Sequence, residues 1–164
     1  MVDPTTVFVA TCDLAAQVRG RSVPASDRDK VLRTGVGWVP ANLALTCFGQ
    51  IAEDNLFGAG GDLRLRPDPG AAVDVPGDDA AAATRIHLAD QVTPDGEPWT
   101  CCPRSFCRDA LADLRAETGL ELVASFEHEF VLTPLAPAAP FTFRRFRAAE
   151  PFGSELVALL EQAG

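Results

Sequence analysis

The chain has 164 residues, 47% apolar and 23% charged: enough for one ordinary domain, or a small domain plus part of another, and too apolar for wholesale disorder. A net charge of −9 argues against nonspecific binding to nucleic acid or to anionic membranes, since both reward positive charge. No run nears the ~20 apolar residues of a membrane helix, and Met1-Val2-Asp3-Pro4 lacks the basic start of a secretion signal, so a cytoplasmic protein is expected.

Val7 to Cys12 is a β-branched and aromatic run that predicts a strand, turned by Asp13 to Gln17 and returned by Val18 to Val23 as a hairpin. Ser26-Asp27-Arg28-Asp29 looks like a helix start, with Ser26 as cap and an acid three residues on; this short helix should end near Gly35. Asn42 to Phe48 and Leu63 to Arg66 are further strand candidates. Residues 67–83, rich in Pro, Ala, Asp and Gly, offer little to bury and read as a mobile surface loop. Thr84 to Val92 resumes strand character. Pro94-Asp95-Gly96-Glu97-Pro98 is a turn, and Trp99 to Cys101 would complete a second hairpin.

From Pro103 to Glu117 the period becomes helical, with Phe106, Ala110, Leu111 and Leu114 on one face, proline in the first turn and Gly119 past the end. Leu120 to Thr133 then alternates as a strand. Leu122, Ala124, Phe126, His128, Phe130 and Leu132 form a core face, and Glu121, Val123, Ser125, Glu127, Glu129, Val131 and Thr133 a largely polar one. A Pro/Ala-rich connection leads to a last helix over Ser154 to Ala163. No internal repeat is visible. The order of elements predicts an α+β protein: a small domain over residues 1–102, then the opening of a second over residues 103–164.

Glu127 and Glu129 would leave the same side of a strand, with Cα atoms ~6.7 Å apart at the usual rise per residue. Such a pair can converge on one Mg²⁺ or serve two neighbouring ions, because hard divalent ions take carboxylate oxygen and phosphoryl transfer uses them to neutralise charge. Spacing alone leaves the alternative of two solvated glutamates open. His128 falls on the opposite, apolar face, which suits a core histidine. His87 is a strand residue without an assigned task. Cys12, Cys47, Cys101, Cys102 and Cys107 are odd in number and lack zinc-site spacing, so free, mostly buried thiols are expected. Phe141-Thr142-Phe143-Arg144-Arg145-Phe146-Arg147 interleaves aromatic and basic residues; in an acidic chain a packed segment with exposed arginines is favoured over a single-strand binder.

The run Ser125-Phe126-Glu127-His128-Glu129-Phe130-Val131-Leu132 resembles the E-x-E-F motif that opens the catalytic domain of glutamine synthetases. Three further pieces occur in that family's order. Asp13 with Val18-Arg19-Gly20-Arg21-Ser22-Val23-Pro24 resembles its first hairpin. Gly61-Asp62-Leu63-Arg64-Leu65-Arg66-Pro67-Asp68 resembles its S-D-x-x-L-x-P-D segment, and Asp95-Gly96-Glu97-Pro98 followed by Pro103-Arg104 resembles its turn and D-P-R helix start.

The resemblance implies a β-grasp-like N-terminal domain followed by the first helix–strand–helix of a catalytic domain. It implies a ligase that uses ATP to join glutamate to ammonia or an amine as a γ-glutamyl amide, in homo-oligomeric rings, with Mg²⁺ or Mn²⁺. The two acids of E-x-E each bind a different ion in the family, roles that fall here to Glu127 and Glu129. Catalytic and nucleotide-contacting residues would lie further along a family chain, so this fragment is expected to be inactive alone and to hold no cofactor tightly. The competing expectation is a non-catalytic β-grasp interaction or assembly module. Two departures stand out. Family hairpins usually carry a glycine near the position of Ala16. Cys47-Phe48-Gly49-Gln50-Ile51 lacks the acid of the ammonia-using D-G-S-S element, with Asp54 the nearest candidate, which favours an amine-using branch similar to the γ-glutamyl-polyamine ligases.

Overall fold

The computed structural model describes residues 3–58, 60–133, 135 and 137–163; Pro134 and Ala136 of the Pro/Ala-rich connection lie outside the described residues. Two compact units share the chain, Met1–Glu121 and Leu122–Gly164.

The first unit is a five-stranded mixed sheet in the order β2-β1-β5-β4-β3, the α+β arrangement expected of a β-grasp domain. Strands β1 (Thr6–Cys12) and β2 (Val18–Pro24) form the predicted hairpin. Its turn is organised by Asp13, whose Oδ1 accepts the Ala15 and Gln17 amides, both at 2.9 Å. Helix α1 (Arg28–Thr34) follows a single 3₁₀ turn and carries the chain to β3 (Val36–Trp38) at the far edge. The Ser26 side chain does not cap α1, whose N-cap is Asp27. Gly35 ends the helix at φ 66°, and a Cβ there would stand 2.6 Å from the Leu65 carbonyl oxygen.

Strands β4 (Leu63–Val75) and β5 (Thr84–Val92) complete the sheet, with β5 parallel to β1 at its centre. Val7 and Val9 from β1, Leu65 from β4 and Ala89 from β5 meet Val31 of α1 and Val36 of β3 in the core. Five flat strands would hold the edges ~19 Å apart, at ~4.8 Å per step. Arg21 on β2 nevertheless donates to the Gly37 oxygen on β3 at 3.2 Å, so the sheet curls until its edges are within one side chain's reach.

Several expectations need correcting. Asn42–Phe48 is not a strand: Pro40–Ala44 is a 3₁₀ helix, and only an isolated bridge joins Leu45 to Ile51. The expected loop after Arg66 is strand as far as Val75, since β5 supplies partners that the composition cannot reveal. The two prolines are accommodated because the β4–β5 register shifts between Pro67 and Ala72, leaving an unpaired bulge. Trp99–Cys101 adds no strand; Pro98 bridges to Val92, and the Trp99 amide donates to the Gln91 oxygen at 3.1 Å.

Helix α2 (Pro103–Thr118) ends as expected on left-handed Gly119. Its apolar face is largely uncovered, with Phe106 72% exposed; the helix is tied to the sheet through Arg104 and Arg108, which both reach Asp90. Four of the five thiols are exposed and free; only Cys102 is buried, where its Sγ accepts the Gln91 amide.

In the second unit, helices α3 (Phe143–Ala148) and α4 (Phe152–Ala163) follow the segment 122–133. Phe143 and Phe146 stack at 6.0 Å between ring centres but stay exposed, so the expected packed segment is a surface helix. No helix among the described residues is long and apolar enough to cross a membrane.

Candidate functional site

The acidic pair lies in the second unit, in a segment that is neither helix nor paired strand. An extended chain becomes a strand only when a neighbour takes its backbone hydrogen bonds, and no described strand lies beside residues 121–133. Glu127 and Glu129 are both exposed. The apolar side of the alternation is exposed too: Phe126 by 85% and Phe130 by 60%, although Phe130 meets Phe152 edge-to-face at 5.6 Å. His128 is likewise exposed, not a core residue.

The chemistry of these two donors suits a hard divalent ion, being carboxylate oxygen with no thiol. Their number does not, because Mg²⁺ takes about six oxygen ligands. Among the described residues no three His, Cys, Asp or Glu side chains are grouped to hold a metal ion. Glu127 and Glu129 therefore do not make a complete metal centre by themselves.

The first unit shows what the other motif residues do. Asp68 sits in the β4 bulge, its Oδ1 accepting the Gly70 amide at 2.9 Å and its Oδ2 facing Arg104 at 2.6 Å. Arg104, in the first turn of α2, also donates to Asp90 of β5 at 2.8 Å, and Arg108 reaches the same aspartate at 3.0 Å. Pro67-Asp68 and Pro103-Arg104, read separately in the sequence, thus meet through one guanidinium that ties helix to sheet. Arg104 holds the Asp68 carboxyl below its ordinary range. For Asp90, burial pushes upward, but Arg108 and Arg104 together outweigh it and the carboxyl again ends low.

Just past the end of β1, Arg19 pairs with Asp13 and donates to the Thr46 oxygen at 2.8 Å, fixing the hairpin to the loop after the 3₁₀ helix. Burial raises the Asp13 carboxyl, and the bonds from Arg19, Gln17 and Ala15 reverse that to a net lowering. Gly20 packs so closely that a Cβ would stand 2.0 Å from the Val9 oxygen. These residues position the domain; none brings a reactive group to a cleft.

Sequence reasoning missed Arg108 and the burial of His87. Two arginines one helical turn apart, just after a proline, were the available signal for the first. For His87 there was none: it is 1% exposed, its Nδ1 lies 3.1 Å from the Asp68 oxygen, and its Nε2 has no hydrogen-bond partner among the described residues. The segment lacking an acid is a tight turn, with the Thr46 amide donating to the Gln50 oxygen at 2.7 Å and Gly49 at φ 83°.

A family profile described as the glutamine synthetase N-terminal domain matches residues 4–99. A crystal structure of a novel glutamine synthase homolog superposes with a TM-score of 0.78 at 36% identity, covering 100% of this chain and 39% of that one. Apo GmaS without ligand gives a TM-score of 0.55 at 20% identity, over 70% of this chain and 24% of that one. A cryo-electron microscopy structure of Plasmodium falciparum glutamine synthetase gives 0.52 at 14% identity, over 70% and 20%. At those lower identities the likeness shows the fold alone. The chain spans 39% of the length of the 36%-identical structure. No curated protein matches the sequence.

Proposed function

The chain belongs to the glutamine synthetase family, and from that premise we propose that it is the N-terminal part of an ATP-dependent carboxylate–amine ligase. The reaction would join glutamate to ammonia or an amine as a γ-glutamyl amide. The observation that carries this reading is the 36% likeness running through 100% of this chain, including the segment bearing Glu127 and Glu129, when the family profile alone stops at residue 99. Mg²⁺ or Mn²⁺ would neutralise phosphate charge when bound. The two glutamates would supply part of its oxygen shell, with the remaining ligands and the ATP contacts outside these residues.

An unusual apolar surface supports the same reading. On the apolar side of the alternation Leu122 is 65% exposed and Phe126 85%, with Phe130 also open, more than an independent soluble unit usually shows. Such a face is what remains of a catalytic domain without its covering elements. Among branches we favour an amine-using one, because the turn at residues 46–50 carries no carboxylate and the nearest acids, Glu53 and Asp54, are exposed beyond it.

A domain graft tests the proposal. Residues 1–164 replace the equivalent part of a full-length ligase of the family, and γ-glutamyl amide formation is measured with ammonia and with several amines. The hybrid is expected to turn over, and Glu127→Gln or Glu129→Gln should each cost at least ~100-fold, as losing a direct ligand exceeds the usual cost of losing its outer support. An active hybrid indifferent to both substitutions would refute the metal assignment. The 164-residue chain alone is expected to release no phosphate from ATP with glutamate and amine, and robust turnover would overturn that expectation.

The second reading, a non-catalytic assembly module, is favoured by one observation: the profile match at residues 4–99 falls wholly inside the compact unit Met1–Glu121. It predicts partner capture by residues 1–121 alone and no effect of the two glutamates.

A further inference from the structure

Where the end of α1, the start of β4 and the turn after β5 come together, the first unit has an open cavity of about 530 Å³. Lys30, Arg33, Arg64 and Arg66 line it, against the single carboxylate of Asp95. In a chain of net charge −9 this is a marked local reversal of sign. The four cations come from two elements: Lys30 and Arg33 lie three apart on α1, and Arg64 and Arg66 two apart on β4, so each pair shares a face.

What these cations lack is compensation. Arg19, Arg85, Arg104 and Arg108 each hold an aspartate. Lys30 and Arg33 have no ion pair among the described residues. The nearest carboxylate to Arg64 is Asp62 at 3.9 Å, with the two side chains 41% and 61% exposed, a contact that water largely screens. Arg66 donates to the uncharged Gly96 oxygen at 3.1 Å, which anchors its guanidinium at the cavity without neutralising it. The carbonyls at the end of α1 answer little of this charge, because Gly35 N–H caps Val31 and the Thr34 hydroxyl donates to Lys30.

We propose that this cavity binds a small phosphate-bearing anion. Guanidinium forks, of which the cavity has three, match the geometry of a tetrahedral oxyanion, and the Lys30 ammonium adds a point charge. The volume falls in the range of small-ligand pockets. A long polyanion or an acidic protein surface is disfavoured, since beyond the cavity it would meet an acidic chain.

The test titrates inorganic phosphate and then pyrophosphate into the 164-residue chain by isothermal calorimetry, with chloride balancing ionic strength. Saturable one-to-one binding is expected, with pyrophosphate the tighter ligand. The double variant Lys30→Ala/Arg33→Ala, both exposed positions, should keep the circular dichroism of the parent and lose affinity at least tenfold. Arg115→Ala, which removes a charge elsewhere, should bind as the parent does. No saturable heat beyond the chloride control overturns the proposal. So does an equal loss in Arg115→Ala, an unchanged affinity in the double variant, or tighter binding of an oligoglutamate peptide than of pyrophosphate.

Discussion

Ala16 stands in the β1–β2 turn at φ 58°, one of two described non-glycine residues with positive φ, near where the resemblance leads one to expect glycine. A side chain in the left-handed region costs ~1–2 kcal/mol through the contact of Cβ with the backbone. Replacing it by glycine removes that strain but adds freedom to the unfolded chain, worth ~0.5–1 kcal/mol. Ala16 is exposed, so no packing is lost, and its amide still donates to the Asp13 oxygen at 3.2 Å. Ala16→Gly should therefore stabilise the domain by about 0.5–1 kcal/mol. At ~2.1 cal/mol/K of unfolding entropy per residue, a cooperative unit of this size gains ~2–4 °C. Urea unfolding followed by circular dichroism measures it, with an unchanged m-value as the sign that only stability moved. Ala15→Gly, one residue earlier and not at positive φ, should lose ~0.5–1 kcal/mol. Equal effects of the two substitutions would refute the reasoning.

Arg104→Ala should destabilise by ~2 kcal/mol, the scale of hydrogen bonds to charged groups, with a coupling to Asp90→Ala in a double-mutant cycle; a coupling near zero would dismiss the helix-to-sheet tie. Arg108→Ala, at a more exposed side chain, should cost under ~1 kcal/mol by the same measurement. Gly20→Ala should cost ~3 kcal/mol or more, or yield no folded protein, since its Cβ would overlap the Val9 carbonyl; a wild-type melting curve would disprove the close approach. Asp13, Asp68 and Asp90 all have carboxyls lowered on folding. Their contribution is present above the unfolded value of ~3.9 and is lost as pH falls through the lower folded values, so the urea midpoint should stay level above about pH 5 and drop as pH falls from there to about pH 3. In the native protein a thiol reagent should label Cys12, Cys47, Cys101 and Cys107 quickly and Cys102 only on unfolding; five fast thiols would contradict the burial of Cys102.

Much of the chain was legible without coordinates wherever the determining interactions are short-range. The β1–β2 hairpin follows from β-branched runs about an aspartate turn. Helix α2 follows from a proline start and a glycine end, and the Gly96 turn from a positive φ of 87°. Each is settled within a few residues, so local chemistry suffices. The family kinship was legible for a related reason: its motifs hold Gly20, Asp68 and Arg104, whose close approach and ion pairs leave little room for other side chains.

Tertiary structure decided everything that needed a distant partner. Residues 67–75 look like loop by composition, yet they are strand because β5 offers its backbone groups and a bulge absorbs the prolines. Residues 121–133 alternate as a strand should, yet no described neighbour pairs with them, and both sides of the pattern face solvent. His87 and Arg108 acquired their surroundings only when β4, β5 and α2 met. The amino-acid sequence states which segments can hydrogen-bond as strands and which faces are apolar; whether another segment arrives to satisfy them is a property of the folded whole.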